Sequence, residues 1–438
     1  MILKKVFDLE NEHNLILDDS YIENIKEGNK KYKLLRGEII QANGRCVKCN
    51  STNISKNGIY KKTVRLTKLN DSQVKIILSV QRYTCNCEDC RRNFTPEVSF
   101  IEKKKRISKQ IHKQVFIDMV TPISSKQVAR QNNVSINVVQ RDMKEFKSYN
   151  MVNKRNLPRV LCVDEFKGVK HHKAKMNFII VDAEKRTVKD ILANRFKNSL
   201  ISYFNGYTLE ARENVEYFVT DFYDSYINIA ENTFPNAKIV IDRFHIKRLL
   251  VVNLKNKRVE IMKKFSKHHF PYKVLKKFRY LLYKNFYKIN IKYKKYKHYE
   301  EFKNEYDILN YMLSLDKELE ETYWAYQDFI EAFDNKDEKM LEEIINRDYS
   351  HVSDEVKKTF NTYKKYQEYV INAVKYPYSN GLVEGMNTKI KLLKRTGYGY
   401  RNFQNFRLRI MIMFNLVKFV EDEKRKEKRI RDYHKKAS

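Results

Sequence analysis

The sequence predicts a multidomain α+β chain: a cysteine-rich β-hairpin module, a helix-turn-helix, and an α/β domain interrupted by an all-helical insertion. Three observations predict it. Five of the six cysteines fall between Cys46 and Cys90, around two strand-like runs. From Arg159 onward, short apolar runs ending in acids alternate with helical stretches. Between His245 and Pro377 that alternation stops, and Lys, Tyr and Phe recur in a helical stretch far longer than an ordinary loop.

Bulk composition narrows the function class. The 438 residues allow two to four domains and a substantial core. The 88 Lys and Arg against 54 Asp and Glu leave a formal charge of +34, which calls for a polyanionic partner; nucleic acid is the first expectation. A basic membrane-surface protein is the rival. The absence of a long apolar run or a signal peptide speaks against it and for a cytoplasmic location. The cysteines are too clustered for a disulfide framework and read as one local metal site in a reducing compartment.

Taken in order, residues 1–45 form a polar segment with weak helical periodicity around Tyr21 to Leu35. Residues 46–100 form the cysteine module. Tyr60 to Leu66 and Val74 to Tyr83 have strand composition and are joined by the turn Asn70-Asp71-Ser72, so a hairpin brings Cys46 and Cys49 toward the second group, Cys85, Cys87 and Cys90. Thiolate pairs met in this way make a tetrahedral Zn2+ site, whose binding would supply much of the folding free energy of so small a module. The second pair stays open: Cys87 and Cys90 have one ligand spacing, Cys85 and Cys90 another.

Residues 106–150 hold the helix-turn-helix. Ser124 caps a helix carrying Val128 and Ala129, Asn132 to Ser135 form the turn, and Ile136, Val139 and Met143 bury one face of a second helix. Asn137, Gln140, Arg141 and Lys144 are then free to enter a major groove. Asn150 to Pro158 reads as a linker.

The α/β domain begins with 159–250. Strands are expected at Arg159 to Glu165, Asn177 to Val181, Thr187 to Asn194, Val215 to Asp221 and Ala237 to Asp242, the last running on to His245. With helices near Leu200 and after Tyr223, the order β-β-β-α-β-α-β-α is that of an RNase H-like fold. Asp164 and Asp221 sit at strand ends, where α/β sheets collect functional groups. The insertion covers 251–376, and its cations interleaved with aromatics, including Lys276, Lys277 and Arg279, suit a grip on DNA phosphates. Residues 377–420 close the domain. There a helix follows the turn residues Pro377 to Gly381; Leu382, Met386, Ile390 and Leu393 make its apolar stripe, and Glu384, Asn387, Lys391 and Arg395 fall on another face. Residues 421–438 are a charged tail.

Asp164, Asp221 and Glu384 brought together would repel one another unless cations sat between them, which suits two Mg2+ or Mn2+ ions working at a phosphodiester. The pieces that carry this constellation, V-D-E-F, V-T-D-F-Y-D-S-Y, D-R-F-H and Y-S-N-G-L-V-E-G-M-N-T-K-I-K-L-L-K-R-T-G-Y-G-Y-R-N-F, together with the cysteine module and the helix-turn-helix, resemble the ISL-three (ISL3) family of bacterial insertion-sequence transposases, members of the DDE group. The resemblance runs from about Arg45 to Val420. It implies that Asp164, Asp221 and Glu384 are catalytic metal ligands, with Asp242 and His245 supporting the site. It implies Zn2+ on Cys46, Cys49, Cys85 and Cys90, with Cys87 as the alternative to Cys85. It further implies binding of the element's terminal inverted repeats on double-stranded DNA, strand cleavage and transfer, and a dimer or larger synaptic assembly at the bacterial nucleoid. Glu165 and Asp224 are neighbouring acids with poorer spacing, since adjacent strand residues point to opposite faces. Two other classes compete: a sequence-specific regulator that binds DNA without cutting, and an RNase H-like nuclease with no need of a sequence-reading module.

Overall fold

The computed structural model describes residues 2–28, 30–70, 72–102, 104–149, 152–169 and 174–416. The predicted tail, 421–438, and the last four residues of the closing segment 377–420 lie outside them. The described residues of Met1–Met151, Val169–His171 and Lys389–Ser438 cluster as one unit, and those of Val152–Gly168 and His172–Thr388 as a second.

In the first unit a short helix α1 (Ile2–Val6) precedes four long strands: β1 (Leu15–Glu27), β2 (Lys30–Ile39), β3 (Ile54–Leu69) and β4 (Ser72–Cys85). Their order is β1-β2-β4-β3, with β2 and β4 parallel and the other pairs antiparallel; β5 (Asn93–Phe94) adds to β4. The weak helical periodicity around Tyr21 to Leu35 is thus overturned, because that segment is a hairpin. Within the hairpin, alternation is clear only in β2, where Leu35, Gly37 and Ile39 are buried between exposed Arg36 and Glu38; most of β1 is exposed and shows no apolar period. Gly37 is required by close approach: a Cβ there would lie 2.9 Å from the Ile16 carbonyl oxygen. In β4, Val74, Ile76, Leu78 and Val80 face a core shared with Leu9, Leu15, Leu35 and Val64.

Three helices follow: α2 (Lys109–Met119), α3 (Ser125–Gln131) and α4 (Ile136–Tyr149). The Ser124 side chain caps α3 by accepting from the Gln127 N–H at 3.1 Å, and Asn133 takes the left-handed backbone conformation in the turn before α4. Val128, Ala129, Val139 and Met143 are buried as the spacing requires, but Ile136 is 42% exposed. It stands at the open N-terminus of α4, and Val138 and Phe146 complete the apolar face instead. The last described helix, α16 (Phe403–Asn415), belongs to this unit. Its Arg409 is wholly buried, and the guanidinium donates to the carbonyls of Met119, Thr121 and Ile123 between α2 and α3.

The second unit is built on a five-stranded sheet of β6 (Val160–Lys167), β7 (Met176–Asp182), β8 (Thr187–Leu192), β9 (Tyr217–Thr220) and β10 (Lys238–Ile241), in the order β10-β9-β6-β7-β8. β6, β9 and β10 are mutually parallel, and β6-β7-β8 is an antiparallel meander. The runs V-L-C-V in β6 and N-F-I-I-V in β7 are buried at every residue, as strands covered on both faces must be. Helices α5 (Lys197–Asn205), α6 (Leu209–Glu213) and α7 (Asp224–Thr233) connect the strands. His245 does not continue a strand: β10 stops at Ile241, Asp242 caps α8 (Arg243–Lys263), and His245 lies in its first turn.

The chain then runs through α9 (Phe270–Lys277), α10 (Glu305–Ser314), α11 (Lys317–Asn335), α12 (Glu338–Asn346), α13 (Asp354–Lys365) and α14 (Gln367–Lys375) before α15 (Gly381–Thr396) and α16 (Phe403–Asn415). A two-residue ladder between Lys294–Lys295 and Phe302–Lys303 interrupts this otherwise helical region, so it is not strictly all-helical. One apolar core extends from Leu157 in front of the sheet to Val374 in α14, with Tyr323, Phe329, Phe360 and Tyr363 at its aromatic centre. The whole is a mixed α+β chain with an N-terminal sheet that carries the cysteines and a helical C-terminal part.

Candidate active site

The β6 backbone brings Asp164 beside Asp221, which follows the end of β9. Burial, then the Asp221 charge, pushes the Asp164 carboxyl up to about 7. Burial also raises Asp221, while His245 and a hydrogen bond from Asn380 pull it back. The His245 Nε2 lies 3.4 Å from Asp221 Oδ2. Asp242 has both oxygens engaged: Oδ1 accepts from the Phe244 N–H at 2.9 Å, capping α8, and Oδ2 accepts from the Asn380 N–H at 2.8 Å. Its geometry is that of a clamp between the start of α8 and the start of α15. Arg243 strengthens the clamp by donating to the carbonyls of Ala373 and Tyr376.

The neighbouring acids are accounted for. Glu165 is paired with Arg195 and accepts from the Tyr226 hydroxyl at 2.6 Å, so its carboxylate is held by its own cation. Asp224 opens α7 and lies 3.7 Å from Lys365.

Glu384, the third expected acid, lies in the first turn of α15 and is exposed. The buried stripe of the helix is Val383, Met386, Asn387, Ile390 and Leu393, and Leu382 is left out of it, a shift of one position from the expected stripe. Asn387 does not lie on the open face with Glu384, Lys391 and Arg395. It is buried, and its amide donates to Asp164 Oδ2 at 2.7 Å. Asn380, also buried, donates from Nδ2 to the Val163 carbonyl at 2.9 Å and to Asp221 Oδ1 at 3.1 Å. Glu384 thus falls between the two asparagines along the chain but, unlike them, is exposed. The sequence presents Asn380 as a turn residue and Asn387 on the polar face with Glu384, and points neither of them to an aspartate. The only available signal was their spacing around Glu384.

The thiols form a second cluster in the other unit. The Sγ atoms of Cys46, Cys49, Cys85 and Cys90 all lie within 4.8 Å of one another, the one group of three or more candidate metal ligands drawn that close among the described residues. Cys46 and Cys90 are 4.0 Å apart and Cys49 and Cys85 3.5 Å, against about 3.8 Å between ligands on a tetrahedral ion with 2.3 Å bonds. The set is compatible with a structural zinc. Cys87 lies 3.5 Å from Cys49 but outside the mutual group.

The other predicted residues are placed as follows. Asn137, Gln140, Arg141 and Lys144 are exposed along α4. Lys276, Lys277 and Arg279 line a cavity of about 500 Å³ with Lys267, Lys273, Tyr272, Tyr280 and His298. Burial and then the charges of Lys297, Lys273 and Lys277 lower the His298 pKa, a sign of the strong positive field there.

A family model described as a transposase, of the ISL3 type, matches residues 161–410, over half of the chain. The chain belongs to the ISL3 transposase family. The match contains Asp164, Asp221, Asp242, His245 and Glu384, and the ISL3 family implies a DNA substrate and use of divalent metal. A protein of Lactococcus lactis subsp. lactis named "ATP-dependent protease" is 37% identical over 108 residues, 25% of this chain and 34% of that protein. The chain thus spans about a third of the length of that curated relative, too little to carry an activity across. No helix among the described residues of this transposase-family chain is long and apolar enough to cross a membrane.

Proposed function

We propose that the protein is a DNA transposase that binds the terminal inverted repeats of an insertion sequence and catalyses metal-dependent strand cleavage and strand transfer. The observation that carries this reading is the tie of α15 to the sheet, Asn387 to Asp164 in β6 and Asn380, just before the helix, to Asp221, with Glu384 on the turn of chain between the two asparagines. The sheet order β10-β9-β6-β7-β8, with its antiparallel meander and two added parallel strands, supports an RNase H-like domain. The family match supports the transposase class.

The donor set fits Mg2+ or Mn2+: it is all-oxygen, and burial, then the Asp221 charge, already holds Asp164 above its ordinary range, a cost that a cation would relieve. Asp164, Asp221 and Glu384 would hold the metal. When bound, it would supply the charge that activates a water or 3′-hydroxyl and stabilises the leaving oxygen. The chain's own residues do the rest. His245 orients Asp221. Asp242 fixes the start of α15. Arg195 and Tyr226 keep Glu165 turned away. Zinc on Cys46, Cys49, Cys85 and Cys90 would hold the end of the N-terminal sheet. Asn137, Gln140, Arg141 and Lys144 would read the repeat, while Lys391, Arg395 and the cavity cations Lys276, Lys277 and Arg279 would neutralise backbone phosphates. Two DNA ends cut in concert call for a dimer or larger assembly.

The test is a cleavage and strand-transfer assay on DNA bearing the ends that flank this protein's own gene, with Mg2+ or Mn2+, beside Glu384→Gln. Metal-dependent cuts at the ends, lost in the variant, are expected. Specific binding with no cut on any candidate end would replace the transposase with the regulator; cutting of DNA lacking a terminal repeat would point to a nuclease.

A further inference from the structure

We infer that Asn380 and Asn387 are positioning residues of the carboxylate site: neutral amides that orient Asp221 and Asp164 and set the register of Glu384 between them. The inference rests on the transposase reading of that site and adds residues it does not name.

Both side chains are nearly closed off from solvent, Asn380 at 5% and Asn387 at 6% exposure. Each spends its Nδ2 on one aspartate: Asn380 on Asp221 Oδ1 and Asn387 on Asp164 Oδ2. Each also reaches β6 backbone, Asn380 at the Val163 carbonyl and Asn387, at 3.4 Å, at the Glu165 carbonyl. In both, the buried Oδ1 has no hydrogen-bond partner. A side chain present only to pack would be apolar and would leave no orphaned oxygen. The amide cannot be turned around to relieve it, because Oδ1 would then face a carboxylate and the buried NH2 would be left unpaired. The orphan is tolerated because the donor half is needed where it is.

A neutral donor suits this place. Lys or Arg would also orient a carboxylate, but its charge would neutralise the acid and repel an incoming cation. An amide fixes the carboxylate plane and leaves its charge for the metal, the part that partners of metal ligands commonly play. The two hydrogen bonds also act on Glu384. The Asn380 carbonyl accepts the Glu384 N–H at 2.9 Å, so the helix begins at the residue tied to Asp221. Asn387, about one turn beyond Glu384, is tied to Asp164. Rotation or sliding of this turn would break one bond or the other.

The experiment is Mn2+ titration of the full-length protein by calorimetry, without DNA, on wild type, Asn387→Ala, Asn387→Leu and Asn380→Ser, with thermal melting of each. Asn387→Leu keeps the branching and heavy-atom count of the side chain and removes the orphaned oxygen, so it should melt close to wild type while binding Mn2+ about tenfold or more weakly. In an Asp164→Asn background the same substitution should change Mn2+ affinity by less than about twofold, because the amide acts through Asp164. Mn2+ affinity within about twofold of wild type in the folded variants would overturn the inference and leave the transposase reading standing. A wild type that binds no Mn2+ would overturn the metal site, and this inference with it.

Discussion

The thiol cluster and the carboxylate cluster are both sets of anionic donors, and they are built in opposite ways. The four thiols come from short turns and strand ends at one edge of one sheet, and they already lie at the mutual distances of a closed tetrahedral site. The acids come from within β6, from just past the end of β9 and from a helix much later in the chain, and their oxygens are not gathered so tightly. Asparagines, a histidine and backbone N–H groups hold them instead, and Glu384 stays open to solvent. The difference matches the roles proposed for the two sites. A metal that only ties chain together needs no vacant position, whereas one that works on a phosphodiester must leave room for it. In the acid site, burial and then the Asp221 charge hold the Asp164 carboxyl above its ordinary range.

The comparison is broken most directly at Asp221. Asp221→Ala should reduce cleavage and strand transfer by about 10³-fold or more while leaving binding of the DNA ends within about twofold. Normal cleavage by this variant, in the same assay as the Glu384→Gln control, would remove the acids from the chemistry.

The next largest effect is expected at the thiols. Cys49→Ser should abolish stoichiometric zinc in the purified protein and destabilise the N-terminal sheet by about 3 kcal/mol or more, because binding energy here is folding energy. Zinc content by atomic emission and a calorimetric melt would check it. A zinc-free wild type with an unchanged melt would end the structural-site reading.

The acid site should respond with the opposite sign. In metal-free buffer at about pH 8, Asp164→Asn should stabilise the protein by about 1–3 kcal/mol, since the folded carboxyl is pushed up to about 7. The folded state disfavours the charged acid, so the wild type's penalty is full above about 7 and fades as the pH falls toward the ordinary value of 3.8. The advantage of the variant should shrink over that window, and added Mg2+ should erase it. The new amide also gives Asn387 a donor, so Asn387 can reverse and satisfy its buried oxygen. A variant less stable than wild type at that pH would mean that the acids are not in tension.

The smallest expected effect lies away from both clusters. Reversing Lys276, Lys277 and Arg279 to Glu should flatten the dependence of log K on log salt for DNA binding by about 2–3, close to one for each phosphate that is no longer neutralised. An unchanged slope would mean that the basic cavity faces away from DNA.

Much of this was legible in the chain itself. Cysteine spacing, strands that lead to Asp221 and Asp242, and a helix bearing Glu384 are local patterns set by backbone period and turn chemistry, and a single sequence displays them. The strand expected to end at Asp164 and Glu165 instead runs on to Lys167, because it pairs with β7 that far. Tertiary structure decided what depends on partners distant in sequence. β1 and β2 became strands because β4 offered β2 a parallel edge, which the weak pattern of Tyr21 to Leu35 could not announce. Cys85 rather than Cys87 joined the mutual thiol group because strand pairing, not spacing, aims the side chains. Asn387 reads as polar and exposed by composition, yet it is buried against Asp164 because the helix face it occupies is the one that docks on the sheet. Spacing along a helix fixes which residues share a face; only packing against the strands determines which face is inside.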